Sequence, residues 1–170
     1  CALPICLDCG DKGRLGFSAP LFEQAAHTFC VDHHISNVSF AMDNVIRPDA
    51  SSTSELVYEL LDKKRISKET AEALYLGIVH DTGVFQYSNT TSETLQAAAF
   101  LISFGFNFPK LIEETFYERT YIQSQITGRA VLEAFPMLDG KCMVSMVDRK
   151  TMDFYGAEKK DLSGIVNKQI

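Results

Sequence analysis

The sequence predicts an α/β domain with a mainly parallel sheet and helices on both faces, followed by the start of a second, smaller domain. Three observations carry this. Ala2–Leu7 and Thr28–Val31 have strand character, and a short helical stretch lies between them. Strands joined through a helix run parallel with a right-handed crossover, in sheets covered on both faces. From Ser51 to Phe135 apolar residues recur at helical spacing. After Pro136-Met137-Leu138-Asp139-Gly140 a strand pattern returns, dividing the chain into residues 1–135 and residues 136–170, a linker and the opening of the next domain.

Taken in order, the first apolar run ends at Asp8, and Gly10-Asp11-Lys12-Gly13 supplies turn chemistry. Ser18 is expected to cap a helix with Pro20 in its first turn, where the missing amide costs little. Residues 35–49 read as loop, with a short strand at Val38–Met42. Ser51 to Ser54 offers caps for a helix reaching about Lys64 with Leu56, Val57, Leu60 and Leu61 on one face. Ser67 opens the next, where Ala71, Leu74, Tyr75, Ile78 and Val79 form an apolar stripe and Gly83 follows as the stop. Ser92 caps a helix to Phe104, Gly105 ends it, and two more run from Lys110 and through Gln123 to Phe135. Then come a strand at Lys141–Val147, a helix at Arg149–Tyr155 ended by Gly156, and a final helix from Asp161.

Composition narrows the function. With 46% hydrophobic residues in 170, a real core is affordable. A net charge of −6 argues against long duplex nucleic acid, which needs a basic face. A small phosphate ligand remains open, because bound cations invert the local field. Five cysteines without framework spacing suggest a reducing, cytoplasmic setting. No signal peptide is visible, and the longest apolar stretch, Ala97–Phe104, is too short for a membrane span. The chain opens at Cys1 with a strand already under way, as a fragment is expected to.

The chemistry concentrates at Phe29-Cys30-Val31-Asp32-His33-His34, which carries two of the four histidines. In a parallel sheet ligands gather at the carboxyl ends of strands, where both Asp8 and Asp32-His33-His34 fall. His80-Asp81-Thr82-Gly83, at a helix end, adds a third acidic stretch. Phosphoester hydrolysis needs charge neutralisation and a hydroxide at neutral pH, which two divalent ions supply together. Asp8, His33 and Asp81 offer suitable ligands, and oxygen-rich sets favour Mn²⁺ or Mg²⁺. His34 would face the substrate as phosphate ligand or general acid, and Asp32 would fix an imidazole tautomer. The simpler readings are a turn-capping Asp8, a structural His80, a local Asp11–Arg14 ion pair, buried thiols at Cys6-x-x-Cys9, and a helix-capping Ser51–Ser54 cluster with phosphate donation second.

Asp32-His33-His34, with Asn37 three residues on, resembles the motif that names the DHH phosphoesterases. Leu76-Gly77-Ile78-Val79-His80-Asp81-Thr82-Gly83-Val84-Phe85 is similar to that family's later metal-binding motif, and Asp8-Cys9-Gly10-Asp11 with Arg14 and Gly16 to its earlier acidic one. Gly128–Gly140 and Gly164-Ile165-Val166-Asn167 follow in the family's order, and the NrnA-like branch, small relatives of RecJ, is the nearest in appearance. The resemblance implies two Mn²⁺ ions, with Mg²⁺ as the alternative. The substrates it implies are very short single-stranded oligoribonucleotides, the 3′-phosphate of pAp, or linear or cyclic dinucleotides. Asp8 and Asp81 would bridge the metals, His33 would ligate one, His34 would contact the scissile phosphate, and Asn37 and Arg14 would lie near it. The family's first motif, a His followed by two Asp, would lie upstream of Cys1, and most of its substrate-gripping second domain beyond Ile170. An inorganic pyrophosphatase shares these motifs, and a non-catalytic nucleotide-binding module is the reading from another class. A homodimer is compatible with the sequence, which leaves oligomeric state open.

Overall fold

Strands β1 (Ile5–Leu7), β2 (Phe29–Asp32) and β3 (Asp43–Ile46) run parallel in that spatial order, with Cys6 beside Cys30 and Asp32 beside Ile46. The computed structural model describes residues 3–165. Alternation along β2 sends Cys30 and Val31 to opposite faces. On one face Cys6 and Cys30 pack with Phe22 of α1 (Ala19–Glu23) and with Phe40 from the β2–β3 loop. On the other, Val31 packs with Ala50 and with Leu56 of α2 (Thr53–Leu60). The expected α/β class, with its sheet covered on both faces, is what the chain forms.

The β1–β2 crossover begins with a 3-10 turn at Lys12–Ser18, where the Asp11 carboxylate accepts from the Gly13 amide at 2.7 Å. The chain kinks at Gly16, and Ser18 then precedes α1 without capping it through its side chain. The strand expected at Val38–Met42 is instead loop, and β3 starts at Asp43. Two side chains explain the shift. Asn44 binds both the amide and the carbonyl of Ala41, and Thr28 Oγ1 takes the Met42 amide, so the loop's backbone groups are satisfied without a ladder.

α3 (Lys68–Asp81) is capped by Ser67 as expected, and its stripe Ala71, Leu74, Tyr75, Ile78 and Val79 is buried. With Ala97, Ala98 and Leu101 of α4 (Ser92–Ile102) it forms the largest core cluster. Each buried leucine, isoleucine or valine among them contributes about 1.5–3 kcal/mol. Four boundaries differ from expectation. α2 stops at Leu60, and Asp62 caps a separate 3-10 turn, Lys63–Arg65. Thr91, not Ser92, caps α4, in a reciprocal box with Thr94. α4 stops at Ile102, before the expected Phe104. α5 (Phe108–Ile112) starts two residues early because Asn107 caps it, and passes into a π-turn at Glu113–Tyr117.

The chain divides after Phe116 into two compact units, so the expected division after residue 135 falls inside the second. That second unit holds α6 (Tyr121–Leu132), the antiparallel hairpin β4 (Phe135–Met137) and β5 (Cys142–Val144), and α7 (Arg149–Tyr155). Its core is Ile126, Met152 and Ala157. Here the helix expected to reach Phe135 ends at Leu132, and the expected linker Pro136–Gly140 is a hairpin strand and its turn. Leu138, Asp139 and Gly140 all take positive φ in that turn. The strand expected at Lys141–Val147 shortens to β5, whereas α7 and its Gly156 stop are as predicted. A 3-10 turn at Lys159–Leu162 and a bend through Ile165 replace the start of the final helix, and residues 166–170, with Asn167, lie outside the described residues. Among the described residues no helix is long and apolar enough to cross a membrane.

Candidate metal centre

Three chain segments deliver the site, all from the first unit. Asp8 follows β1 directly in the left-handed region (φ 58°), with its amide still bonded to the Val31 carbonyl at 3.1 Å. Aspartate tolerates that conformation better than most residues, and here it turns the carboxylate out of the ladder. β2 ends at Asp32 and releases His33 and His34, and Asp81 is the last residue of α3. The turn after Asp81 is heavily determined. Thr82 Oγ1 donates to the Ile78 carbonyl at 2.6 Å and accepts from the Phe85 amide at 3.1 Å, while Gly83, Val84 and Phe85 all take positive φ. Left-handed Val and Phe cost of order 1–3 kcal/mol each, and the surrounding bonds hold them there.

These segments bring Asp8, His33, His34 and Asp81 together. His33 Nε2 lies 3.6 Å from Asp8 Oδ1 and 3.5 Å from Asp81 Oδ2, and His34 Nδ1 lies 3.8 Å from Asp8 Oδ1. Asp8, His33 and His34 can each offer one ligand atom within 4.8 Å of the others. The tautomer of His33 follows from its neighbour. Its Nδ1 is 3.3 Å from the Ala50 carbonyl, which can only accept, so Nδ1 carries the proton. Nε2 then points a lone pair at two carboxylate oxygens. A cation placed among these three atoms would be attracted by all of them. The Asp81 carboxyl is held above the ordinary range by burial and then by the charge of Asp8, against the pull of His33. Metal bonds of about 2.1 Å set adjacent ligands roughly 3 Å apart, so the observed spacings close on an ion with small side-chain rotations. The residues therefore fit a divalent cation, and an oxygen-and-imidazole donor set suits Mn²⁺ or Mg²⁺.

Behind the ligands Asp32 is wholly buried and accepts from four groups. Oδ1 takes the His33 amide at 2.8 Å, the His34 amide at 3.3 Å and His34 Nδ1 at 2.6 Å, and Oδ2 takes Asn37 Nδ2 at 2.6 Å. Burial alone would raise its pKa, but the bonds from Asn37 and His34 outweigh burial and hold the carboxyl below the usual range. With Nδ1–H committed to Asp32, His34 keeps Nε2 for a ligand or substrate. Asn37 is engaged by the protein itself: Nδ2 also bonds the Cys9 carbonyl at 3.1 Å, and Oδ1 accepts from Ser39. Arg14 sits on the exposed 3-10 turn, 3.9 Å from Asp11. His80 Nε2 is 3.1 Å from Thr115 Oγ1 and edge-on to Phe116, in keeping with a structural role.

Four contributors have roles that only the fold shows. Thr53 Oγ1 donates to Asp8 Oδ1 at 2.9 Å, the Ala50 carbonyl sets the His33 tautomer, and Asn89 Nδ2 donates to the carbonyls of both Ser51 and Asp81. The fourth is Glu55, a buried acid among hydroxyls. The run Ser51-Ser52-Thr53-Ser54-Glu55 carried a signal in its acid one turn after a serine cap; Asn89 carried none.

Residues 2–78 match the family model described as the DHH family, N-terminal domain. This stretch is similar to the DHH-family N-terminal domain. It holds Asp8, Asp32, His33 and His34, and Asp81 lies three residues past its end. Over 170 residues, 97% of the chain, the sequence is 27% identical to the bifunctional oligoribonuclease and PAP phosphatase NrnA of Bacillus subtilis, covering 53% of that protein. It is 40% identical over 101 residues to the cyclic-di-AMP phosphodiesterase PdeA of Listeria monocytogenes, covering 55% of this chain and 15% of that one. The fold is shared with an exopolyphosphatase-related protein from Bacteroides fragilis, at a TM-score of 0.90 and 24% identity, over 96% of this chain and 49% of that one. The chain thus spans about half the length of the NrnA it matches end to end. Similarity to NrnA thus runs along the chain, and the match to the DHH family model covers its first part.

Proposed function

We propose that the DHH domain is the metal-binding half of a two-metal phosphoesterase that cleaves short oligoribonucleotides, the 3′-phosphate of pAp, or linear or cyclic dinucleotides. The observation that carries this is the position of His33 Nε2, 3.6 Å from Asp8 Oδ1 and 3.5 Å from Asp81 Oδ2. Asp8 and Asp81 would bridge two Mn²⁺ ions, Mg²⁺ substituting, and His33 Nε2 would hold one. Metal bound there neutralises phosphoryl oxygens and provides hydroxide at neutral pH. His34 turns Nε2 toward the scissile phosphate and, when protonated, donates to a phosphoryl oxygen. Asp32 steadies that imidazolium from its buried position through the 2.6 Å bond. Asn37 acts on the substrate indirectly, by holding Asp32 and the Cys9 carbonyl. Arg14, mostly in solvent, remains available to a leaving nucleotide.

The nucleotide substrates named for the NrnA and PdeA relatives support this class. The test is a panel of pAp, a linear diribonucleotide, a cyclic dinucleotide and pyrophosphate, incubated with the full-length protein and Mn²⁺, beside Asp81→Ala. Hydrolysis of a nucleotide that vanishes in the variant is the expected result. Turnover of pyrophosphate alone, or of nothing, would overturn the proposal.

A further inference from the structure

One short turn bonds two of the proposed metal ligands directly and reaches the third through Asn89. The Ala50 carbonyl binds His33 Nδ1, Thr53 Oγ1 donates to Asp8 Oδ1, and the Ser51 carbonyl shares Asn89 Nδ2 with the carbonyl of Asp81. These bonds join the end of β1, the end of β2 and the end of α3, segments distant in sequence. Residues 50–53 are all buried, although they form a polar loop.

What fixes this turn is Glu55. The residue is only 2% exposed, a rarity for an acid. Its Oε2 accepts from the Ser51 amide at 3.1 Å, from Ser51 Oγ in a short bond, and from Thr94 Oγ1 of α4 at 2.9 Å. Ser52 Oγ in turn caps the Glu55 amide at 3.0 Å. The direct partners of the Glu55 carboxylate among the described residues are hydroxyls and an amide, and the charge of Arg47 acts on it from farther off. A buried polar group this well satisfied costs the fold little and locks its donors in place.

We infer that the Ala50–Thr53 turn, locked by Glu55 onto Thr94, is the positioning device of the metal centre, with Thr53 setting the rotation of the Asp8 carboxylate. The inference rests on the proposed metal-centre reading and adds residues to it. Thr53 occupies one lone pair of Asp8 Oδ1 and so directs the remaining pair toward His33 and His34, which face the same oxygen at 3.6 Å and 3.8 Å. Outer partners of this kind typically govern metal affinity by 10–100-fold. Neither Thr53 nor Glu55 touches substrate or ion in this account. They are positioning residues.

The test compares wild type, Thr53→Val, Thr53→Ser and Glu55→Gln in the full-length protein. Mn²⁺ affinity is read from the free-ion electron spin resonance signal, and thermal midpoints are measured in chelator. Thr53→Val, isosteric but without the hydroxyl, is expected to weaken Mn²⁺ binding by about 10-fold or more with little change in midpoint. Thr53→Ser is expected to restore binding, which a purely structural role for the threonine methyl would not give. Glu55→Gln is expected to weaken Mn²⁺ binding as well, and to alter the His33 Nδ1–H resonance in the metal-free protein. Wild-type affinity in Thr53→Val would overturn the inference while leaving the metal centre standing. Failure of wild type itself to bind Mn²⁺ would overturn both, and if Glu55→Gln does not fold, the two Thr53 variants alone decide.

Discussion

Replacing Gly77 by alanine would place a methyl group where α2 already sits. A Cβ built on Gly77 lies 2.8 Å from Ser54 Cβ and closer still to Ser54 Oγ. The hydroxyl can rotate away, but the Cβ–Cβ clash remains in every rotamer, so the two helices must separate. Overpacking of this kind costs about 1–3 kcal/mol, and this geometry belongs in the upper part of that range. Against it stands the helix-propensity gain of alanine over glycine in mid-helix, about 1 kcal/mol. The net expectation is a loss of about 1–2 kcal/mol, which for a chain of this size lowers the melting midpoint by roughly 2–8 °C. Because Ser54 adjoins Thr53, the displacement also loosens the hold on Asp8, so Mn²⁺ affinity should fall with stability. Urea unfolding of Gly77→Ala, Ser54→Gly and the double variant gives the coupling directly, expected to exceed about 1 kcal/mol for residues in contact. A Gly77→Ala protein more stable than wild type, or a coupling near zero, would refute the close approach.

Asp81→Asn should raise the melting midpoint of the metal-free protein, because it removes a carboxyl that burial and Asp8 disfavour in its charged form, while abolishing turnover. The sign is definite: ionised Asp81 opposes folding at neutral pH, and lowering the pH through its raised pKa relieves that opposition until the unfolded-state value is passed. Scans of both proteins in chelator at pH 7 check it, and an unchanged or lower midpoint contradicts it. In wild type, Mn²⁺ at about 100 times its dissociation constant should add roughly 2.7 kcal/mol, a gain the variant should largely lose. His33→Ala should weaken Mn²⁺ binding, whereas His34→Ala should mainly lower turnover at saturating metal. Equal affinities in wild type and His33→Ala would remove His33 from the site. Burial, reinforced by Cys9, pushes the Cys6 thiol up to about 12, so at pH 8 iodoacetamide should label exposed Cys142 and spare Cys6 in the native protein. Comparable labelling of the two, read by peptide mass, would contradict the packing of that face.

Much of the site was legible because its chemistry sits at element ends. Asp8 ends a strand, Asp32-His33-His34 ends the next, and Asp81 ends a helix with a clean apolar stripe. Caps and stops at Ser67, Gly83 and Gly156 are local and were read correctly, whereas the caps expected at Ser18 and Ser92 were not found. What failed depends on tertiary partners. Val38–Met42 has the residues of a strand, but Asn44 and Thr28 consume its backbone groups. The hairpin of the second unit was hidden by Pro136, which reads as a linker and in fact sits in a two-stranded ladder. Asn37 was expected beside substrate because of its place in the motif, yet its donors turn inward to Asp32 and Cys9. The Ser51–Glu55 run looked like ordinary capping, and only the fold shows that Thr94 and Asp8 are its partners.

The central claim is that Asp8, His33 and Asp81 close on a divalent ion. Anomalous diffraction at the manganese edge from Mn²⁺-soaked crystals tests it most directly. The account predicts a peak within about 2.3 Å of His33 Nε2 and of oxygens from Asp8 and Asp81, absent in Asp81→Asn. A fully occupied peak elsewhere, or clear density with no ion between these three side chains at saturating Mn²⁺, would contradict it.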